Sequence, residues 1–101
     1  MQGAVFHCSF HLKEGASVEG FLQAAEKLNN EYISKQKGCV SWQQLNNGDT
    51  WLDILTFETM EDVKAFEANP AGGGELAGNF YSFINPSSIK LSYFTIERSY
   101  K

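Results

Sequence analysis

The apolar residues change their period along the chain in a fixed order, and that order is the tightest constraint on what it can fold into. Residues 4–12 (AVFHCSFHL) alternate, with Phe6, Cys8, Phe10 and Leu12 on one side and Val5, His7, Ser9 and His11 on the other. A period of two is that of a strand. Past the turn Lys13-Glu14-Gly15, Val18, Phe21, Leu22, Ala25, Leu28, Tyr32 and Ile33 return every three or four residues. This spacing predicts an amphipathic helix to about Lys35, with Ser17 as its cap and Gly38 as its stop. Residues 39–45 (CVSWQQL) and 50–57 (TWLDILTF) read as strands joined by the hairpin signal Asn47-Gly48-Asp49. Trp51, Asp53, Leu55 and Phe57 share one face of the second of these.

Thr59, with Asp62 three residues on, starts a second helix through Met60, Val63 and Phe66, which Asn69-Pro70 breaks. Ala71-Gly72-Gly73-Gly74 is a turned link. Residues 75–84 form a further short helical piece, Asn85-Pro86 a turn, and residues 89–97 the last strand. The order β-α-β-β-α-β is the split βαβ arrangement of a ferredoxin-like α+β fold. The expected sheet is four-stranded and antiparallel, in the order 4-1-3-2, with both principal helices on one side. The other side lacks a cover, and a chain this short gains from a partner subunit. Residues 1–101 therefore read as a single domain that pairs with a copy of itself.

Composition removes several alternatives. Hydrophobic residues make up 43% and aromatic residues 14% of the 101 positions, too many for a disordered chain. The net charge is -4 with no basic run, which disfavours nucleic acid and membrane surfaces as partners. No apolar stretch is long enough to span a bilayer, and no signal peptide is recognisable. Cys8 and Cys39 form no Cys-x-x-Cys pair, so both are expected as free thiols in a reducing cytoplasm.

Candidate chemistry is sparse. His7 and His11 are the only histidines. Four residues apart on a strand they share a face but lie roughly 13 Å apart, too far to hold one metal ion, and no Cys or His cluster adds ligands. No metal or cofactor site is expected. Asp53 lies between Leu52 and Ile54, where a carboxylate is unusual unless paired. If strands one and three are neighbours, a His7 or His11 pair with Asp53 would orient an imidazole for proton transfer. Trp42, Trp51, Tyr81 and Tyr93 suit the walls of a site for a flat organic ligand, and equally a core or subunit interface. Tyr93 is expected on the His7 side. Gly72-Gly73-Gly74 lacks the Lys and Ser/Thr of a phosphate loop and reads as a loop with backbone freedom.

The strand beginning at Val5, the helix of residues 18–35, the passage Lys37-Gly38-Cys39-Val40-Ser41-Trp42, the Asn47–Asp49 turn, the strand Trp51-Leu52-Asp53-Ile54 and the helix Thr59–Phe66 together resemble the dimeric α+β barrel superfamily, in particular small antibiotic-biosynthesis-monooxygenase-like proteins. The resemblance implies a homodimer whose two sheets face each other as a barrel, with a pocket between sheet and helices or within the barrel. Some relatives oxidise polycyclic aromatics with oxygen and neither metal nor flavin; others degrade haem or isomerise small lactones. This chain has no Asn on its first strand, where oxygenase members often carry one. Its second helix lacks the His that haem degradation needs. The reading is a small-molecule enzyme resembling cofactor-independent monooxygenases, acting on a planar aromatic or enolisable substrate. His7, His11 and Asp53 are its candidate catalytic residues. The alternative is a non-catalytic homodimeric ligand-binding or structural module.

Overall fold

The computed structural model describes residues 3–69 and 72–101. Strands β1 (Ala4–Phe10), β2 (Cys39–Asn46), β3 (Trp51–Phe57) and β4 (Lys90–Thr95) form one antiparallel sheet in the order β2-β3-β1-β4. This is the order the sequence predicts. Helices α1 (Val18–Glu31), α2 (Met60–Glu67) and α3 (Gly74–Tyr81) contribute to the core on one side of the sheet. The break expected at Asn69-Pro70 and the start of the glycine-rich link fall partly on residues 70 and 71, outside the described residues.

Local chemistry accounts for the element ends. Ser17 is extended, and its hydroxyl accepts from the Gly20 amide at 3.0 Å, capping α1. Thr59 caps α2 by accepting from the Asp62 amide at 3.1 Å. The predicted helix to Lys35 stops instead at Glu31 and tightens into a 3-10 turn over Ile33–Lys35. Asn29 and Asn30 are weak helix formers, and the tighter turn brings Ile33 into the core. Gly38 follows with φ +77°, and a Cβ there would collide with the Asp62 carboxylate. In the β2–β3 hairpin the Asn47 side-chain oxygen accepts from the amides of Asp49 and Thr50, at 3.1 and 2.8 Å. That turn fixes the register Asn46↔Trp51, Gln44↔Asp53 and Trp42↔Leu55.

Burial alternates strictly along β1 and β3. Ala4, Phe6, Cys8 and Phe10 face the helices with Trp51, Asp53, Leu55 and Phe57. Phe21 is fully buried and anchors this layer, with ring centroids 5.8 Å from Phe10, 5.1 Å from Trp51 and 5.0 Å from Phe80. The opposite side carries Val5, His7 and Ser9 of β1 and Leu52, Ile54 and Thr56 of β3, none fully buried, with Leu45 and Phe94 exposed beside them.

Candidate active site

Two rows of side chains cross the helix-facing side of the sheet. In one, Gln44, Asp53, Cys8 and Leu91 stand side by side from β2 to β4. In the next, Trp42, Leu55, Phe6 and Tyr93 do the same. The helices do not close completely over these rows. A cleft of about 330 Å³ remains, walled by Phe6, Cys8 and Leu91 from the sheet, Leu28 of α1, Phe66 and Glu67 of α2 and Ala77 and Tyr81 of α3, with Tyr32, Asn69 and Gly72 also on its wall. A hollow of about 40 Å³ shares Phe6, Cys8, Leu28, Phe66 and Tyr81 with it and continues to Asp53, between Trp42 and Phe80.

Asp53 is the one buried polar residue of the described chain, only 5% exposed. Its Oδ1 accepts from the Gln44 side-chain amide at 3.1 Å. Burial among apolar neighbours pushes its carboxyl up to about 7, against smaller lowering contributions from Gln44 and Trp42. The Trp42 indole N–H is buried without a well-formed hydrogen bond, yet it lies close enough to the carboxyl to favour the charged form. Its contact is weaker than the Gln44 bond. Burial, and secondarily the charge of Asp53, pushes the Cys8 thiol up to about 12, so Cys8 is a neutral wall and not a nucleophile. Burial also raises the Tyr81 phenol, with smaller contributions from Cys8 and Asp53. Tyr81, on the wall shared by the cleft and the hollow, is 53% exposed as a residue. At the β4 edge, hydrogen bonding to Glu67 pushes the Tyr93 phenol up to about 12, with lesser contributions from burial and the Glu67 charge.

The same architecture occurs in solved structures of low sequence identity. SnoaB, a cofactor-independent oxygenase from Streptomyces nogalater, is 13% identical with a TM-score of 0.77, over 98% of this chain and 97% of that one. A proposed antibiotic biosynthesis monooxygenase from Bordetella bronchiseptica is 10% identical with a TM-score of 0.77 over 100% of both chains. A dimeric protein of unknown function and ferredoxin-like fold from Bacteroides fragilis is 16% identical with a TM-score of 0.61, over 91% of this chain and 94% of that one. The chain has the ferredoxin-like fold that these solved structures share. No protein-family model and no curated protein sequence matches it.

Within this ferredoxin-like fold the expected site residues separate. Asp53, Trp42 and Tyr81 meet in the hollow. Trp51 does not reach it: its ring packs into the core against Phe21. Tyr93 lies opposite Phe6, at a ring distance of 5.5 Å, and not on the His7 side as expected. The His–Asp pair does not form. His7 pairs with Ile54 and Asp53 with Cys8, so a single residue of register sends the imidazole to the far side of the sheet. There His7 meets the Phe94 ring edge-on at 6.0 Å. His11 lies past the end of β1, its Nδ1 2.8 Å from the Asp49 carbonyl oxygen and its amide donating to Ser88 at 2.9 Å, so it ties two loops together.

The sequence does not single out Gln44 or Glu67 as site residues, and Cys8 reads there only as a buried thiol. The Asn47-Gly48 turn held the signal for Gln44, since counting outward from it places residue 44 opposite residue 53. Among the described residues no cluster of three His, Cys, Asp or Glu side chains could hold a metal ion, and no helix is long and apolar enough to cross a membrane.

Proposed function

We propose that the chain is a small-molecule enzyme of the cofactor-independent monooxygenase kind, acting on a planar aromatic or enolisable substrate with Asp53 as its proton acceptor. The observation that carries this reading is a buried carboxyl at the inner end of an apolar cleft, oriented by one amide and pushed up by burial to about 7. A base with a pKa close to the working pH is best placed for proton transfer. SnoaB, of the same fold, is a cofactor-independent oxygenase, which supports the assignment.

Asp53 takes the proton of a substrate hydroxyl or enol. The electron-rich anion passes one electron to molecular oxygen, and the two radicals combine to form a carbon–oxygen bond. The resulting peroxide anion takes the proton back from Asp53, which restores the carboxylate, and the hydroperoxide so formed loses water. A ring methylene thus becomes a ketone, one oxygen atom entering the product and the other leaving as water. Phe6, Phe66 and Phe80 would flank the ring system, and Trp42 and Tyr81 would border the reacting end.

The assembly proposed with this activity is a homodimer, each copy a single domain, formed through the uncovered side of the sheet. Val5, Leu52, Ile54, Leu45 and Phe94 give that side an apolar character, and the Bacteroides fragilis protein of the same fold is dimeric. The free thiols of Cys8 and Cys39 suit a reducing cytoplasm.

Oxygen uptake with phenolic and quinol substrates tests the reaction. Asp53→Asn should lower turnover by about 100-fold or more, while His7→Ala and His11→Ala should turn over as the wild type does. Equal rates in all four proteins would remove Asp53 from the chemistry. Tight ligand binding with no oxygen uptake would favour the non-catalytic module.

A further inference from the structure

We propose that water reaches Asp53 by a second way in, the groove between α1 and the edge strand β2, with the Gln44 side chain as its gate. The carboxyl is that of the proposed reaction, but its access to water is separable from turnover.

The groove has a volume of about 200 Å³. Leu22, Ala25, Glu26 and Asn29 form its α1 wall, and Trp42 and Gln44 its β2 wall. Positions 22, 25, 26 and 29 recur every three or four residues and so share one face of the helix, while 42 and 44 share the helix-facing side of the strand. Leu22 and Glu26 are exposed, so the groove opens to solvent there. At its inner side it meets the acid. Gln44 donates to Asp53 at 3.1 Å, and Trp42 borders both the groove and the 40 Å³ hollow that Asp53 lines.

Polar groups mark this way in and not the other. The residues that cleft and hollow have in common, Phe6, Cys8, Leu28, Ile33, Phe66 and Tyr81, are apolar but for one neutral thiol and one phenol, and Asp53 does not line the cleft. On the groove side stand the Glu26 carboxylate, the Asn29 amide and the Gln44 amide, which spends one N–H on Asp53 and keeps a second N–H and a carbonyl oxygen for water. The Trp42 indole N–H is buried with no well-formed partner, and the hollow beside it is roomy enough for a single water, which needs about 10–15 Å³ and two to four polar partners. A water there accepts from Trp42 and donates to Asp53. In the proposed reaction, the water lost from the hydroperoxide at the inner end then leaves past Gln44 while product still fills the cleft.

Hydrogen–deuterium exchange of the Trp42 indole, followed by NMR on the full chain, tests the route. Glu26→Phe, which fills the groove from an exposed position, should slow that exchange by about tenfold or more. Leu91→Phe, which narrows the cleft, should leave it unchanged, and Gln44→Ala should speed it several-fold. Trp51, whose ring packs against Phe21, should keep its own rate throughout. Thermal melts confirm that the variants are folded, and Leu22→Phe repeats the block if Glu26→Phe does not fold. Exchange that ignores the filled groove, that slows as much when the cleft is narrowed, or that does not quicken without the Gln44 amide would each overturn the proposal. A protein that shows groove-dependent exchange but consumes no oxygen keeps the route and loses the oxygenase reading. One that oxidises quinols while exchange ignores the groove does the reverse.

Discussion

Gln44 and Asp53 face each other across the β2–β3 ladder, and the Gln44 amide donates to the Asp53 carboxyl at 3.1 Å. The bond favours the charged form and works against the burial that pushes the group up to about 7. Gln44→Leu should therefore move the Asp53 midpoint further upward, by about one pH unit for a bond to a charged group. A carboxyl carbon NMR titration reads this directly. A midpoint that stays or falls would show that Gln44 does not hold the carboxylate.

The same burial sets how stability responds to pH. Asp53 has a higher pKa folded than unfolded, so between its ordinary value of 3.8 and about 7 the folded chain binds the extra proton. Stability from this group is then greatest at acid pH, declines as pH rises through that window, and levels off above it. The full decline is at most roughly 4 kcal/mol. Asp53→Asn should flatten it, melting well above the wild type at pH 8 and close to it near pH 4. Parallel curves for the two proteins in thermal melts would contradict the assignment.

Much of this is legible in the sequence. The change of apolar period gave the strands and helices in order, and the split βαβ order gave the arrangement β2-β3-β1-β4. Asp53 stood out because a carboxylate among alternating apolar residues is costly unless held. What stayed hidden was register between distant strands. Whether residue 7 or residue 8 of β1 stands opposite residue 53 depends on a pairing made across more than forty intervening residues, and no local signal specifies it. The sequence therefore leaves His7 as a candidate neighbour of Asp53, while in the structure Cys8 occupies the place. Gln44, nine residues away through a short turn, was within reach of local reasoning.

Gly72 and Tyr32 set the shape of the cleft rim. A Cβ on Gly72 would fall on the Tyr32 hydroxyl, and both residues line the cleft. Gly72→Ala should displace the phenol and weaken binding of a phenolic substrate several-fold with little change in melting temperature. Calorimetry and a thermal melt on the same sample separate the two effects.

Phe21 is enclosed by the rings of Phe10, Trp51 and Phe80. Phe21→Ala should cost about 3–5 kcal/mol in urea unfolding, the usual range for deleting a fully buried aromatic ring. A loss under 1 kcal/mol would mean that the layer repacks around the gap.

Ile54 points to the uncovered side of the sheet and is half-buried. If copies pair there, Ile54→Asp should shift sedimentation from two chains to one while the melting of the single chain changes little. An unchanged mass would place the contact between copies elsewhere.

The pleat gives this small chain an insulating wall. Along β1 and β3 each side chain answers to one side only, so drift in the residues of the uncovered side can proceed without disturbing the acid at the inner end of the cleft. The converse holds for changes that retune the cleft. Insertion or deletion of one residue within either central strand is the exception, because it would exchange the occupants of the two sides.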